Sequence, residues 1–261
     1  MKNLNTFANQ NTFDALDKVC IVTGGSSGIG LALINELQSR KAKKIINIDL
    51  KNSNQGSVDY YKCDVGSNDA IKIVFEEIYK KYEHIDLICC NAGIAKDDDG
   101  LASEDHWNTI WKTNVLQHIN IVRNCISKMV LKKNGWFLIT ASAAGLLSQV
   151  GSATYSTTKH ATVGFAEWLS ITYGDFGLGV SLLCPQGVNT PMTENIKNGG
   201  VAGINGMLEA SEVAKITLEE MSKGKFLITP HEVVRKYIKI KAEDPEKWII
   251  GMRKLYKKFV N

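Results

Sequence analysis

The sequence predicts a single α/β domain built on a doubly wound parallel sheet of about seven strands, with helices on both faces. Three observations predict this fold class. Short apolar, β-branched runs alternate with segments whose apolar residues recur at helical spacing. A glycine-rich turn joins the first run to the first helical segment. Polar residues stand where several of the runs end, which is where parallel sheets bind their ligands.

The composition fits one globular domain in a reducing compartment. Hydrophobic residues make up 44% of the 261 positions, and no linker-like stretch divides the chain. The net charge of +4 is spread over interleaved lysines and glutamates, which does not indicate nucleic acid as a partner. Six cysteines lie inside apolar runs, which predicts reduced core thiols, a cytoplasmic location and no metal site. No run reaches the roughly 18 apolar residues that span a bilayer.

The chain begins with residues 1–17, which are polar and which we expect to form a poorly ordered or loosely packed extension. Val19–Thr23 is then apolar on both faces, as a buried parallel strand is. Gly24–Gly30 follows, and Leu31–Leu37 has helical spacing. Glycines let the backbone approach a pyrophosphate, and free N–H groups at a helix start bind anions. This unit therefore predicts a phosphate-binding turn.

The second strand, Lys44–Ile48, ends at Asp49. In a Rossmann-type fold, a carboxylate about 20 residues beyond the glycines binds the adenosine ribose. Such a carboxylate accepts hydrogen bonds from the ribose hydroxyls of NAD and repels the 2′-phosphate of NADP. Asp49 therefore predicts NAD as the cofactor, while Lys51 and Arg40 leave some tolerance of NADP open.

The third strand is predicted over Val58–Cys63 and leads to Asp64–Val65. An amphipathic helix from about 68 to 82 precedes the fourth strand, Ile85–Cys90, which ends at Asn91–Gly93. Because these polar segments follow strands, we expect them at the ligand-binding edge of the sheet.

A long helix is predicted from about 104 to 131, with Asn114 in its middle. A buried Asn in a helix needs a partner or a water molecule, so Asn114 is a candidate for a structural or proton-relay role. Trp136–Thr140 is the fifth strand, Val180–Leu183 is the sixth, and Pro185–Met192 follows the sixth.

Tyr155 and Lys159 lie four residues apart on a predicted helix, and Ser142 stands thirteen residues before Tyr155. This spacing places the phenol and the ammonium on one helix face. A phenol with a pKa of about 10 is a poor base at neutral pH, but a nearby ammonium lowers that pKa. Ser142, placed to donate to a substrate oxygen, would complete an acid/base site for an alcohol/carbonyl pair. Taken alone, a Tyr–Lys pair is more often a surface pair.

Together these segments resemble the short-chain dehydrogenase/reductase family over about residues 18–230, which we take as the catalytic domain. The resemblance rests on Thr23-Gly24-x-x-x-Gly28-x-Gly30, Asp64, Asn91-Ala92-Gly93, Asn114, Ser142, Tyr155-x-x-x-Lys159 and Pro185 through Thr190-Pro191-Met192. It implies an NAD(H)-dependent oxidoreductase that transfers a hydride between the nicotinamide and a secondary alcohol or ketone. It also implies a homotetramer or homodimer built on the helices that hold Asn114 and Tyr155.

The resemblance implies a role for each catalytic residue. Tyr155 is the general base in oxidation and the general acid in reduction, and Lys159 lowers its pKa and holds the nicotinamide ribose. Ser142 positions the substrate oxygen, and Asn114 holds a water that links Lys159 to solvent. The cofactor-binding residues that it implies are Gly24, Ser26, Ser27, Gly28, Ile29, Gly30, Asp49, Asp64, Val65, Asn91, Ala92, Gly93, Tyr155, Lys159, Pro185, Val188, Thr190 and Met192.

Two positions depart from the family pattern. Cys90 stands where the family commonly has a second Asn, so a hydrogen bond that braces the central strand is expected to be missing. Gln186 stands where Gly often follows Pro185, beside the expected nicotinamide position. The catalytic tetrad is complete, which favours an enzyme over the alternative, a catalytically weak NAD-binding sensor or scaffold of the same fold.

The remaining segments concern the substrate and the C-terminus. Thr193–Gly206 is glycine-rich and is predicted to be a lid over the substrate. Leu146 and Leu147 are candidates to line an apolar pocket, so we expect an apolar or amphipathic substrate. Residues 231–261 are basic and are predicted to be helical. Two interpretations stay open for them: packing on this domain or a neighbouring subunit, or contact with a membrane surface.

Overall fold

The computed structural model describes residues 11–53, 56–95, 98 and 102–259. Its strands are β1 (Val19–Thr23), β2 (Lys44–Asp49), β3 (Asp59–Lys62), β4 (Leu87–Cys90), β5 (Gly135–Thr140), β6 (Leu178–Leu183), β7 (Val188–Asn189), β8 (Leu208–Glu209) and β9 (Leu227–Ile228). Its helices are α1 (Gly28–Ser39), α2 (Asn68–Lys81), α3 (Glu104–Trp111), α4 (Gln117–Lys132), α5 (Ala144–Leu147), α6 (Ala153–Tyr173), α7 (Ala210–Met221), α8 (Val233–Glu243) and α9 (Pro245–Phe259). Short 3₁₀ turns cover Gly174–Phe176, Lys197–Gly199 and Ala202–Asn205.

Seven strands form one parallel sheet in the order β3-β2-β1-β4-β5-β6-β9. This confirms the predicted doubly wound α/β fold. The strand order reverses between β1 and β4, which lie side by side with Val22 opposite Cys89. Such a switch point opens a crevice at the carboxyl ends of the two strands, where ligands bind. β7 and β8 pair with each other beside this edge.

The core consists of two apolar layers, one on each face of the sheet. Successive residues of a strand point to opposite faces, so Ile21 packs with α2, α4 and α6, while Cys20 and Val22 pack with α1 and α7. All six cysteines are buried and free, in agreement with the predicted core thiols. These layers pack against the strands of the switch point from both sides.

The predicted N-terminal extension covers 1–17, of which 1–10 lie outside the described residues. From residue 11 onward the expectation of loose packing is wrong. Phe13 and Ala15 are buried, and the Phe13 ring lies 6.0 Å from the ring of Trp136. The segment therefore covers one face of the sheet and belongs to the domain.

Two predicted helices are interrupted. The segment predicted as one helix over 104–131 contains a π-helical turn, Lys112–Leu116, which includes Asn114. The C-terminal segment divides into α8 and α9, because Asp244 has extended φ and Pro245 lacks the N–H that would continue the helix. No helix within the described ranges is long and apolar enough to cross a bilayer.

Candidate active site

The ends of β1 and β4 are joined by hydrogen bonds across the switch point. The Thr23 hydroxyl oxygen accepts the main-chain N–H groups of Asn91 at 2.9 Å and Ala92 at 3.0 Å. The Asn91 side-chain amide donates to the Thr23 carbonyl at 3.2 Å, and its oxygen accepts the Thr140 hydroxyl at 3.2 Å. The predicted residues Asn91 and Ala92 therefore fix three neighbouring strands at the ligand-binding edge.

Gln117 adds to these hydrogen bonds between the ends of β1 and β4, which we call the brace at the switch point. The Gln117 side-chain amide nitrogen contacts the carbonyl of Ala92, and its oxygen lies 3.4 Å from the Thr23 hydroxyl. Gln117 is fully buried at the start of α4. Cys90, at the position where the family commonly has Asn, is also fully buried. The carboxamide of Gln117 thus supplies a contact at the end of β4, the strand for which a hydrogen bond was expected to be missing at Cys90.

The glycine turn lies directly on this edge. Gly24 has φ of +66°, and a Cβ there would stand 2.8 Å from the Ala92 Cα, so only glycine fits. Gly28 also has positive φ, and a Cβ there would lie 3.2 Å from the Thr190 methyl group. Ser27 precedes α1 without a side-chain cap on the helix N–H groups. The first turn of α1 can therefore donate to an anion.

Asp49 is held beside the same turn. Its Oδ2 accepts the main-chain N–H of Ser26 at 3.0 Å, and its Oδ1 accepts that of Lys51 at 3.2 Å. Arg40 is paired with Glu36, with 2.7 Å between Nε and Oε1. Of the two basic residues that left NADP tolerance open, Arg40 is thus engaged elsewhere on α1.

The remaining predicted cofactor residues lie around this edge in different environments. Asp64 is exposed, and its Oδ1 accepts the Gly66 N–H at 2.8 Å, whereas Val65 is buried in the core. Val188 is buried in β7, and its carbonyl accepts the Thr193 hydroxyl at 2.7 Å. The other members at this edge are Ile29 and Gly30 in α1, Pro185 after β6, and Met192, which is 45% exposed.

Gly93, which follows β4, lies close to the side chains of Lys159 and Asn114. A Cβ on Gly93 would lie 3.4 Å from Lys159 Nζ and 3.5 Å from Asn114 Oδ1. Lys159 is buried, and its Nζ donates to the Thr140 carbonyl at 3.1 Å. Burial lowers the pKa of Lys159 to about 8. The ammonium lies 5.6 Å from the centre of the Tyr155 ring, so the predicted shared helix face is present.

Asn114 is buried and uses its whole carboxamide within the protein. Its oxygen accepts the Ile94 N–H at 2.9 Å, and its nitrogen donates to the Ile94 carbonyl at 2.9 Å and the Thr158 hydroxyl at 3.2 Å. The main-chain carbonyl of Asn114 accepts the Thr162 hydroxyl at 2.9 Å, again from α6. The π-helical turn therefore ties α6, which carries Tyr155 and Lys159, to the chain after β4.

Ser142 and Tyr155 complete the group. Ser142 is buried, and its oxygen accepts the Ala144 N–H at 3.1 Å. Burial raises the pKa of Tyr155 above its ordinary value, and the Ser142 hydroxyl acts in the opposite direction. That Lys159 lowers the pKa of Tyr155 stays a prediction.

Asp98, which no sequence motif indicated, anchors the start of α6. Its carboxylate accepts the Ala153 N–H at 3.0 Å and the Thr154 hydroxyl at 2.6 Å, next to a bond from Ser152 at 3.1 Å. An acidic residue here satisfies free N–H groups of α6 and complements the helix dipole. The sequence shows only an acidic loop, and its other members, Asp97 and Asp99, lie outside the described residues.

The segment predicted to be a lid, residues 193–206, meets α8 near Gln186, on the predicted substrate side. The Gln186 side-chain nitrogen donates to Asn205 Oδ1 at 3.0 Å, and the Asn205 nitrogen donates to the Tyr237 hydroxyl at 3.3 Å. His231 is buried, and its Nδ1 accepts the Gln186 N–H at 3.2 Å. Residues after position 230 therefore lie beside the candidate site. Val234 packs on Ala143 and Leu147.

Comparison with known proteins agrees with this geometry. A family model described as short chain dehydrogenase matches residues 18–200. The chain is 30% identical to short chain aldehyde dehydrogenase 1 of Euphorbia lathyris over 216 residues, which is 77% of this chain and 72% of that protein. It is 28% identical to a 3-oxoacyl-acyl-carrier-protein reductase of Escherichia coli over 204 residues, 75% of this chain and 84% of that protein.

Solved structures share the fold. A short-chain dehydrogenase/reductase from Burkholderia phymatum in complex with NAD has a TM-score of 0.80 at 24% identity, covering 90% of this chain and 96% of its own. The ligand-free aldohexose dehydrogenase of Thermoplasma acidophilum has a TM-score of 0.74 at 21% identity, covering 84% and 95%. With the family model spanning most of the sequence, this chain belongs to the short-chain dehydrogenase/reductase family of oxidoreductases that bind a nicotinamide dinucleotide.

Proposed function

We propose that this protein is an NAD(H)-dependent oxidoreductase that interconverts a secondary alcohol and its ketone. The observation that carries the proposal is the grouping of Ser142, Tyr155, Lys159 and Asn114 beside the switch point. Tyr155 is half-buried while the other three are buried. A phenol beside a hydroxyl donor in a shielded crevice suits proton transfer to or from a substrate oxygen.

The residues around the glycine turn fit a dinucleotide. The uncapped start of α1 offers N–H groups to a pyrophosphate, and the cleft from Ser26–Gly28 to Asn189–Pro191 is open beside it. The Asp49 carboxylate, with Arg40 engaged by Glu36, supports NAD over NADP. The B. phymatum neighbour in complex with NAD is consistent with this choice.

When bound, the nicotinamide supplies hydride transfer. In oxidation, the Tyr155 phenolate takes the proton of the substrate hydroxyl while the carbon loses its hydride, and the C–O single bond becomes a carbonyl. In reduction, the carbonyl carbon receives the hydride and its oxygen becomes negatively charged. The Tyr155 hydroxyl donates its proton to that oxygen. Ser142 donates a hydrogen bond to the same oxygen and holds it near the phenol. Lys159 and Asn114 fix α6 and the turn at Gly93.

The substrate class rests on the surroundings of Ser142. Leu147 is buried, and Leu146 is partly buried next to α8. An apolar or amphipathic alcohol or ketone suits this wall, with Gln186 as a polar contact on the lid side. The two relatives are named for an aldehyde and for an acyl-carrier-protein ketone, both of which react at a carbonyl carbon.

We also propose a homotetramer or homodimer in the cytoplasm. A row of aromatic rings runs along α6 and beyond it, and Trp168, Ile171 and Phe176 are 50%, 83% and 51% exposed. An apolar row of this size on a long helix suits an interface between copies of the chain.

The proposed cytoplasmic location rests on the cysteines. Six buried, free thiols support a reducing compartment.

The proposal is tested by following NADH formation from NAD over a panel of secondary alcohols: aliphatic, aromatic, hydroxyacyl and steroid. Tyr155→Phe is the test variant, and Tyr173→Phe, on the same helix, is the matched control. We expect Tyr155→Phe to lose at least about 100-fold in kcat while NADH binding persists. Turnover near that of the unaltered protein in Tyr155→Phe would remove Tyr155 from the proposal. NADH binding without turnover of any alcohol or matching ketone would favour a sensor or scaffold.

A further inference from the structure

The pair of helices α8 and α9 concentrates positive charge in one segment of the chain. Residues 233–259 contain nine Lys and Arg against three Asp and Glu. Their net charge is therefore +6 in a chain whose total is +4, which leaves −2 for the other residues. A segment of this kind attracts anionic partners, and the rest of the chain does not.

The basic side chains of this pair are not neutralised within the protein. Among the described residues, none of them forms an ion pair with a carboxylate. Arg235 donates to the Leu227 carbonyl at 2.8 Å and Lys241 to the Leu146 carbonyl at 2.7 Å, both on α8. The charges of α9 face solvent, where an external anion can reach them.

The apolar side of α9 is only half covered. Trp248 is partly buried, and its ring lies 6.0 Å from that of Tyr237 on α8. No residue of α9 is buried, and four of its apolar side chains are exposed. Their exposed fractions are 56% for Ile249, 54% for Ile250, 44% for Tyr256 and 37% for Phe259.

The two kinds of side chain are ordered around the helix. At 100° per residue, Ile249, Tyr256 and Phe259 share one side of α9 with the half-buried residues. Arg253, Lys254 and Lys257 occupy the adjoining side. A helix of this kind can insert its exposed apolar edge into a lipid interface. Its basic edge then lies at the anionic headgroups.

We propose that α9 docks this protein onto an anionic lipid surface. A second copy on the same face would bring two +6 segments together, which repel. Nucleic acid would use the lysines but leave the isoleucines and Phe259 without a partner. An anionic bilayer matches both edges at once, and this inference does not depend on the proposed chemistry.

Docking through α9 would place the substrate side of the cleft near the lipid. α8 packs through Val234 on Ala143 and Leu147, beside Ser142, and α9 packs on α8. An amphipathic substrate held in the bilayer would then lie close to the wall of the site.

The test is flotation of the full-length protein with two kinds of vesicle. One kind contains phosphatidylcholine alone, and the other also contains about 30% phosphatidylserine, which gives the vesicle a negative surface potential. One variant, Lys254→Gln/Lys257→Gln/Lys258→Gln, removes charge, and another, Ile249→Ser/Tyr256→Ser, removes the apolar edge. The matched control, Lys43→Gln/Lys72→Gln/Lys215→Gln, makes the same change in net charge at exposed lysines elsewhere. Thermal unfolding and NADH binding report whether each variant folds.

We expect binding to the anionic vesicles only, with release by about 0.5 M salt because surface charges are screened. The charge variant should reduce the partition coefficient on the order of 100-fold, the apolar variant should reduce it by about tenfold or more, and the control should bind like the unaltered protein. Equal binding to neutral vesicles, no binding, or full binding by either α9 variant would overturn the proposal. A change of oligomeric state in the α9 variants without vesicle binding would instead assign the face to a second copy.

Discussion

Lys159 directs its ammonium to the main-chain carbonyl of Thr140, with 3.1 Å between Nζ and the oxygen. The bond offsets part of the desolvation of a buried cation, yet burial still lowers the pKa of Lys159 to about 8. Burial also raises the pKa of Tyr155. The phenol therefore ionises only at alkaline pH. Lys159 holds α6 against β5 in this arrangement.

The first prediction concerns the pH dependence of alcohol oxidation. Oxidation needs the phenolate of Tyr155, whose pKa lies above its ordinary value, so kcat should rise with pH through the alkaline range. The Ser142 hydroxyl acts to lower that pKa. Ser142→Ala should therefore move the rising limb to higher pH in addition to lowering kcat, whereas Ser142→Thr should keep its position. A limb that moves to lower pH in Ser142→Ala would contradict the assigned effect of this hydroxyl.

The second prediction concerns the choice of cofactor. Asp49→Asn keeps an oxygen to accept the Ser26 N–H but removes the charge that repels a 2′-phosphate. The ratio of kcat/KM with NAD to that with NADP should fall by about tenfold or more, corresponding to roughly 1.4 kcal/mol. Asp69→Asn, at an exposed position in the first turn of α2, is the control and should leave the ratio unchanged. An unaltered ratio in Asp49→Asn would show that another residue selects the cofactor.

The third prediction concerns the brace at the switch point. Gln117→Leu leaves the Ala92 carbonyl without the amide that contacts it, in a fully buried site. Loss of one partner of a buried hydrogen bond should lower the free energy of unfolding by about 1–3 kcal/mol. The KM for NAD should also rise, because Ala92 stands beside Gly24. Gln38→Leu, at an exposed site on α1, should change neither quantity, as thermal unfolding and initial rates can show.

The fourth prediction concerns the segment before β1. Phe13 is 6% exposed, packs on Trp136 and donates its N–H to the Met221 carbonyl at 3.2 Å. Phe13→Ala should lower the free energy of unfolding by about 3 kcal/mol or more, since a large buried ring is lost. Leu16→Ala, three residues on and 49% exposed, should stay within about 0.5 kcal/mol. Equal effects in denaturant titrations would mean that Phe13 does not contribute to the core.

The sequence by itself determined the alternation of strands and helices along the chain, the glycine turn, the position of Asp49 and the spacing of Tyr155 and Lys159. These features are local, because the spacing of apolar residues, the glycines of a turn and the spacing within a short motif all depend on residues that are close in sequence. The parallel fold then follows, because apolar strands separated by helices have few ways to pack. The carboxyl ends of those strands place the predicted residues at one edge.

Only the tertiary structure decided what each buried polar group contacts. Gln117 contacts Ala92, Asp98 contacts the start of α6, and Phe13 packs on the sheet. The partners in each contact are far apart in sequence, so no local pattern predicts them. The pKa values of Tyr155 and Lys159 were likewise decided by burial, which depends on the whole packed edge of the sheet. Hydrogen bonding and desolvation act between neighbours in space, so they are fixed only when the chain has folded.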